Sequence, residues 1–178
     1  MKKVLLLFIF TLISQHINSQ NSKGKPFITG SLNTTFGINQ HYTLDPDDDE
    51  PLIVPAAFLF RVGIGYQFNN RWAASLNAGY DFHFKHDIAA FPTYASLRYN
   101  ITEDANDLFF VETSYGKMWR PAVRFEDGKY YKLGVGLQIA GNGRWHTIIR
   151  LDFHRKAILD FKNGHLDSIS LGVGFSFL

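Results

Sequence analysis

Residues 168–177 read SISLGVGFSF, and this stretch decides how the rest of the chain is interpreted. Five large apolar side chains alternate with serines and glycines, so a β-strand here has one bulky apolar face and one face of very small side chains. The same contrast between a large face and a small face recurs along the chain, and it defines what kind of sheet these strands can build.

The alternation recurs about eight times and predicts eight strands. We place them at residues 27–38, 56–68, 72–84, 91–101, 108–118, 130–140, 144–154 and 168–177. Short connections rich in turn residues lie at 69–71, 102–107 and 141–143. The other connections are mostly longer and carry much of the remaining charge, near 39–55, 85–90, 119–129 and 155–167. Short and long connections alternate, which predicts an antiparallel up-and-down barrel with both termini on the short-turn side.

The volume of the side chains decides which face points inward. The interior of an eight-stranded barrel is only just wide enough for side chains to fill it. The bulky face would overfill that space, whereas the glycines and serines of the other face fit. The sequence therefore predicts an all-β, eight-stranded transmembrane β-barrel with its apolar face toward lipid and its longer loops outside the cell. The alternative is a soluble periplasmic barrel that binds a ligand among inward apolar side chains.

The N-terminus has the composition of a secretory signal. Two lysines precede an apolar run over residues 4–13, and a short polar stretch ends at Ser19. We expect residues 1–19 to be a signal peptide and residues 20–178 to form one outer-membrane β-barrel domain. Zero Cys excludes disulfides and thiolate chemistry, and a net charge of +2 without a basic run gives no support for nucleic-acid binding.

Several segments resemble a known family. VGIGYQFNNRWAASLNAGYDF, FPTYASLRYNI, LFFVETSYGKMW and the closing SLGVGFSFL are similar to small outer-membrane β-barrel domain proteins common in Bacteroidota. The resemblance covers essentially the whole chain after the signal and implies the fold and the outer-membrane location, with no catalytic residue to transfer. A terminal Phe is usual in such barrels as part of the signal read by the insertion machinery, whereas here Phe177 is followed by Leu178.

Charged residues at inward positions of the predicted strands are expected to pair. The hairpin turns bring Asp81 near Arg61 and Arg98 near Glu112, and a turn at 141–143 sets Lys132 opposite Asp152. Pairing is needed because an unpaired buried ion costs several kcal/mol. We predict an interior charge network with a structural, lumen-filling role, formed by Arg61, Asp81, Arg98, Glu112, Lys132, Arg150 and Asp152. The alternative role for the same residues is a path for protons or ions.

The sequence gives little support for a bound metal ion or a cofactor. His83, His86 and the neighbouring Asp81 and Asp87 lie close in sequence but show no recognised ligand spacing, so we predict neither a metal site nor a cofactor. The acidic loop at 45–51 does not fit an EF-hand, because Glu50 occupies the place of the turn glycine. A solvated acidic loop is the expectation there, with weak bridging of Ca²⁺ or Mg²⁺ to lipopolysaccharide as the alternative.

Enzyme chemistry is the main rival for the function. Some eight-stranded barrels modify lipids, and the best available set near the outer rim is His154, His165 and Ser168, whose spacing matches no hydrolase motif. The sequence leaves enzyme activity uncertain and favours a non-catalytic protein of the cell outer membrane.

We expect a structural or interaction role, exercised through the extracellular loops, and a filled polar interior. The predicted loop contacts are Trp119, Arg120, Arg124 and Phe125. The expected partners are outer-membrane lipid, lipopolysaccharide and the barrel-insertion machinery; any extracellular partner is unknown. We expect a monomer, and a narrow passive channel is a further alternative.

Overall fold

The computed structural model describes residues 24–38, 53–84, 88–102, 107–119, 128–141, 143–157 and 164–177. Eight strands account for most of these residues: β1 Lys25–Ile38, β2 Ile53–Gln67, β3 Trp72–His83, β4 Ile88–Asn100, β5 Asp107–Trp119, β6 Gly128–Ala140, β7 Trp145–Ala157 and β8 His165–Phe177. The proposed signal peptide, residues 1–19, lies outside the described residues.

Each strand pairs antiparallel with the next one, and β1 pairs with β8, so the sheet is a closed barrel in the order β1 to β8. The predicted fold class is confirmed. Within the described ranges, no helix is long and apolar enough to cross a bilayer.

The register fixes the tilt of the strands. A row of paired residues that starts at Lys117 on β5 passes through every strand and returns to β5 at Asp107. The return point is ten residues lower (117 − 107), which is the shear of the barrel. With eight strands, this shear corresponds to a tilt of about 40°, within the range of outer-membrane barrels.

The large apolar side chains point outward, as predicted. Ile64, Leu76 and Leu133 are among the most exposed, each above 60% of its maximal area. Aromatic residues lie outward at both ends of the wall, with Trp72 packed on Tyr99 and Trp145 on Phe177 at the short-turn end, and Phe58 packed on Phe84 at the other. These rings form the two interfacial girdles expected of a membrane barrel.

The small residues face inward and make room for the polar interior. At Gly172 an added Cβ would overlap the amide of Asn33, and at Gly134 it would overlap the carboxylate of Asp152. The glycines of the inward face therefore accommodate the larger polar side chains that fill the lumen, and a side chain on the glycine would displace them.

The turn between β6 and β7 differs from the predicted one. The Gly141 N–H donates to the Trp145 carbonyl at 2.9 Å, so the loop residues are 142–144 rather than 141–143. Gly143 has a φ of 77°, a conformation that favours glycine. The pairing of β6 with β7 is consequently shifted by two residues from the predicted register. The side chains stay on the predicted faces because the strand period is two.

Candidate functional site

Six polar side chains, with Glu112 at their centre, lie together in the middle of the lumen and form what we call the Glu112 cluster. Its members come from β4 to β7 and are Arg98, Glu112, Lys132, Gln138, Arg150 and Asp152. Arg98 and Glu112 are cross-strand partners, with Arg98 Nε 3.3 Å from Glu112 Oε2. The other carboxylate oxygen, Oε1, lies 2.5 Å from Lys132 Nζ and 2.7 Å from Arg150 Nη2. Glu112 thus contacts three cations at once.

Asp152 and Gln138 complete the Glu112 cluster. Asp152 Oδ2 lies 2.7 Å from Arg150 Nε, and Asp152 Oδ1 lies 4.0 Å from Lys132 Nζ. Arg98 also donates to the side-chain oxygen of Gln138 at 3.0 Å. All these groups are mostly buried, so their charges are stabilised by each other rather than by bulk water.

A second group, which we call the Asp81 cluster, lies near the long-loop end of the lumen and consists of Arg61, Asp81, His83 and Lys156. Asp81 is fully buried and forms ion pairs with Arg61 on β2 and with Lys156 on β7, the latter at 2.5 Å. Lys156 Nζ also lies 2.6 Å from His83 Nε2. Because β3 and β7 are not neighbours in the sheet, the pair of Asp81 with Lys156 reaches across the lumen.

Aromatic rings separate the two clusters. Tyr94 and Tyr130 pack with ring centroids 4.9 Å apart. Arg61 of the Asp81 cluster lies 5.9 Å from the Tyr130 ring, and Lys132 of the Glu112 cluster lies 5.5 Å from the Tyr94 ring. Contacts of cations with aromatic faces therefore continue the packing from one cluster to the other.

A serine and a histidine are hydrogen-bonded inside the barrel. His154 Nε2 lies 2.7 Å from Ser170 Oγ, and His154 Nδ1 lies 2.7 Å from Tyr130 Oη. A serine–histidine pair is part of hydrolase machinery, but such a site needs an orienting acid and access for substrate. Here a phenol takes the place of the acid, and all three side chains are fully buried in the lumen. This arrangement suits a structural hydrogen-bond chain better than lipid chemistry.

The other residues of the predicted enzyme set do not meet at one place. Ser168 pairs in register with His154 on the inward side. His165 lies at the outer rim, with Nε2 3.6 Å from a carboxylate oxygen of Asp167. The described residues therefore bring His154 to Ser170, which the sequence did not single out, rather than to a site open to lipid.

All seven residues of the predicted interior network lie in the lumen, but their pairing differs in part. Lys132 is opposite His154, and Asp152 is opposite Gly134, because of the two-residue shift between β6 and β7. The prediction that Lys132 and Asp152 are cross-strand partners is therefore wrong, although their charged atoms remain within 4.0 Å.

Sequence reasoning missed Lys156. The seventh strand was predicted to end at residue 154, whereas β7 continues to Ala157 and carries Lys156 on the inward face. The signal was present in the sequence, because Arg150, Asp152, His154 and Lys156 follow the same period of two.

Trp119 ends β5 and points along the outer wall rather than away from the membrane. Its indole N–H donates to Thr93 Oγ1 at 2.9 Å, and Lys117 Nζ lies 3.8 Å from the centre of its ring. The other predicted loop contacts, Arg120, Arg124 and Phe125, lie outside the described residues, as does the acidic loop at 45–51.

In the part of the chain that the structure describes, no group of three or more His, Asp or Glu side chains could hold a metal ion. His86 and Asp87 are not among the described residues.

Open space is found near the short-turn end of the barrel. A concavity of about 710 Å³ there is lined by outward Ile64 and Leu76 and by inward Ser75 and Ser96. A second space beside Arg98 and Gln138 has only about 10 Å³, roughly the room that one water needs. The space beside two members of the Glu112 cluster, Arg98 and Gln138, is thus much smaller than the concavity at the wall.

The closed eight-stranded sheet, its apolar outer wall and its polar lumen define an outer-membrane β-barrel, and the comparisons with known proteins agree. The chain belongs to the family described as "Putative MetA-pathway of phenol degradation", whose model matches residues 29–162. A search of curated proteins found no match to the sequence.

Solved structures show the same fold. Neisserial surface protein A has a TM-score of 0.65 at 10% identity, covering 88% of this chain and 99% of that chain. The N-terminal β-barrel domain of Pseudomonas aeruginosa OprF has a TM-score of 0.57 at 14% identity, covering 87% and 100%. The outer membrane enzyme PagL has a TM-score of 0.51 at 11% identity, covering 85% and 99%. The expected location in the cell outer membrane is confirmed, whereas the narrower resemblance to Bacteroidota proteins stays a prediction.

Proposed function

We propose that this protein is a closed, monomeric outer-membrane barrel that conducts no ions and acts as a membrane-anchored scaffold for contacts made by its outer loops. The observation that carries the proposal is the packing of the lumen. The Glu112 and Asp81 clusters, with the Tyr94–Tyr130 pair between them, occupy the middle and the long-loop end of the interior. Ion-paired side chains in these positions block passage through the lumen. We therefore assign the contacts with partners to the outer loops.

The family description names a degradation pathway, and uptake of a small aromatic compound is a function it could suggest. Passage through the lumen would require displacing Glu112 or Asp81 from several cations, and breaking buried pairs of this kind costs about 3–5 kcal/mol each. The packing therefore favours the scaffold over a channel.

Conductance in planar lipid bilayers tests whether the lumen is closed. The purified barrel should give no stable conductance steps in 1 M KCl (about sevenfold above physiological ionic strength), while a porin in the same apparatus gives clear steps. A positive control from this chain is the double variant Arg98→Ala and Glu112→Ala, which removes two packed side chains and should raise the frequency of current events. Stable steps from the wild-type protein would refute the closed lumen.

Site-specific photocrosslinking in intact cells tests the loop contacts. A photoreactive amino acid at position 124, in the outer loop, should give discrete protein adducts that mass spectrometry can identify. The matched control is position 147, where Thr147 faces the membrane on β7 and should give only lipid adducts. Absence of protein adducts at position 124 and at sites in the other outer loops would contradict the interaction role.

A further inference from the structure

A groove crosses the outward face of the barrel wall near the short-turn end, and we call it the wall groove. It is the concavity of about 710 Å³ at the wall. Its upper edge is a row of outward side chains in which each residue is the cross-strand partner of the next, namely Phe177, Ile28, Ile64, Leu76 and Ala95. Its lower edge is the parallel row two residues nearer the short turns, with Pro26, Tyr66 and Ala74.

The floor of the wall groove is the backbone of small residues. Gly65, Ser75 and Ser96 lie between the two rows and are themselves cross-strand partners. Because their side chains point into the lumen or are absent, they add no bulk on the outward side. Ala74 is short as well, whereas Leu76, two residues further along β3, projects with 66% of its area exposed. The wall groove is therefore a mainly apolar depression that is open to the membrane.

The slope of the rows sets the height of the wall groove. A row of paired residues changes its level by ten residues over eight strands, or about 1.25 residues per strand. Four strand steps separate Phe177 on β8 from Ala95 on β4, so Ala95 lies about five residues higher, or about 13 Å along the barrel axis. One leaflet contributes about 15 Å of the hydrocarbon core. The wall groove thus rises from the aromatic girdle at the short-turn end to near the middle of the membrane, within a single leaflet.

The lower end of the wall groove carries a cation at the level of the lipid headgroups. Arg144 lines the groove there and directly precedes Trp145 in the sequence. Trp145 packs on Phe177, with ring centroids 4.9 Å apart. Trp in membrane barrels lies at the level of the headgroups, so the neighbouring Arg144 lies at or just beyond that level. The wall groove therefore joins an apolar path through one leaflet to a guanidinium at the border of that leaflet, and a phospholipid has the matching arrangement of acyl chain and phosphate.

We propose that the wall groove binds one phospholipid of the periplasmic leaflet, with an acyl chain along the groove and the phosphate at Arg144. The short turns of outer-membrane barrels face the periplasm, so a lipid at this end belongs to that leaflet. Van der Waals contacts between the two rows hold the chain, and a charge-assisted hydrogen bond from the guanidinium holds the phosphate. The site lies on the outside of the wall and depends neither on the closed lumen nor on the loop contacts, so it can fail without the proposed function.

Native mass spectrometry of the purified, folded barrel in a mild detergent tests the proposal, with palmitoyl-oleoyl phosphatidylglycerol as the probe. A titration should show one lipid bound per barrel before further lipids attach. Ala74→Phe places a ring in the wall groove and should weaken this first binding step by about tenfold, because the ring replaces part of the chain and its van der Waals contacts. The matched control is Ala78→Phe, the same change on β3 but outside the groove, which should bind within about twofold of the wild type.

A second pair of variants tests the charged end of the wall groove. Arg144→Gln should weaken the first binding step by about fivefold, the contribution of one basic side chain to binding an anionic lipid at the membrane surface. Lys25→Gln removes a charge at the same end of the barrel but outside the groove and should bind within about twofold of the wild type. Palmitoyl-oleoyl glycerol, which has the same chains and no phosphate, should bind to the wild type about as weakly as the phospholipid binds to Arg144→Gln.

Three results would overturn the proposal. Unchanged binding by Ala74→Phe, or equal weakening by Ala78→Phe, would mean that the lipid belongs to an unspecific annulus around the barrel. A dimer that Ala74→Phe abolishes would mean that the wall groove is an interface between two copies of this chain. Equal binding of the phospholipid and the diacylglycerol would mean that Arg144 holds no phosphate. Gel mobility of unboiled samples confirms that each variant is folded.

Discussion

Glu112 illustrates how a single carboxylate organises the buried interior. It is only 5% exposed, yet it contacts Arg98, Lys132 and Arg150, which come from three different strands. One carboxylate oxygen of Glu112 contacts Arg98, and the other contacts Lys132 and Arg150. Removing the charge would leave Asp152 as the one carboxylate among the described residues within 4.0 Å of these cations.

We predict that Glu112→Gln destabilises the barrel by about 3–5 kcal/mol, because it leaves buried cations without their counter-charge. The measurement is urea unfolding of the protein refolded into phospholipid vesicles. Thr113→Ala, at the next position and on the outward face, is the control and should change stability by less than about 1 kcal/mol. If Glu112→Gln unfolds with the wild-type midpoint, the cations are stabilised by water or bound anions instead.

The sequence predicted the members of the Glu112 cluster better than those of the Asp81 cluster. Arg98 and Glu112 lie close to a short turn, so counting back from that turn gives their pairing. Lys156 lies 73 residues from His83 in sequence and contacts it across the lumen. Counting residues back from a hairpin turn predicts only contacts between neighbouring strands, so it could not give this pair. Such a contact depends on how the whole sheet closes.

Among the elements, the β4–β5 hairpin shows why glycine is needed on the inward face. Gly116 on β5 pairs with Tyr94 on β4. A Cβ at Gly116 would overlap the Thr93 carbonyl oxygen and lie 2.5 Å from Tyr94 Cα. These are backbone atoms of the neighbouring strand, so they cannot move aside as a flexible side chain does.

We expect Gly116→Ala to cost about 1–3 kcal/mol, the usual penalty for adding a methyl group to a packed interior. The same urea unfolding assay measures it, again with Thr113→Ala on the outward face of β5 as the control. A free energy of unfolding within error of the wild type would contradict this prediction. It would mean that β4 and β5 can move apart without destabilising the barrel and that the inward packing around Tyr94 is loose.

Strand ends were the least predictable part of the elements. β7 extends three residues beyond its predicted end at 154, and β8 begins three residues before its predicted start at 168. Both extensions lie at the long-loop end, where Arg155 and Asp167 pair across the strands. Charged outward residues interrupt the apolar alternation there, although the hydrogen-bonded ladder continues. Strand ends that extend beyond the acyl chains of the membrane do not need apolar outward side chains. The apolar alternation in the sequence therefore stops before the hydrogen-bonded strand ends.

For the whole molecule, closure of the sheet is the main structural property. β1 and β8 pair over nine residues, from Ile28 with Phe177 to Phe36 with Ile169, so no edge strand is left open. Because the closed sheet satisfies its backbone hydrogen bonds internally, we expect the folded barrel to resist SDS until it is heated. The closed eight-stranded barrel could be predicted from the sequence, because eight alternating segments, three short turns and the side-chain volumes each indicate the same architecture.

We therefore predict that the folded protein migrates differently in SDS gels before and after boiling. The unboiled outer-membrane fraction should contain a compact band, and boiling should convert it to a band at the position expected for 20.3 kDa or slightly less after signal removal. An identical pattern before and after boiling, in protein that fractionates with the soluble periplasm, would contradict a closed membrane barrel.

The ion pair of Asp81 with Lys156 has a consequence for assembly. β2 and β3 are adjacent, so Asp81 can meet Arg61 as soon as one hairpin has formed. Lys156 belongs to β7 and can reach Asp81 only when the growing sheet has curled far enough to bring opposite walls together. The contact thus requires the strands from β3 to β7 to be in place and curled, and in the finished barrel it ties two opposite walls together.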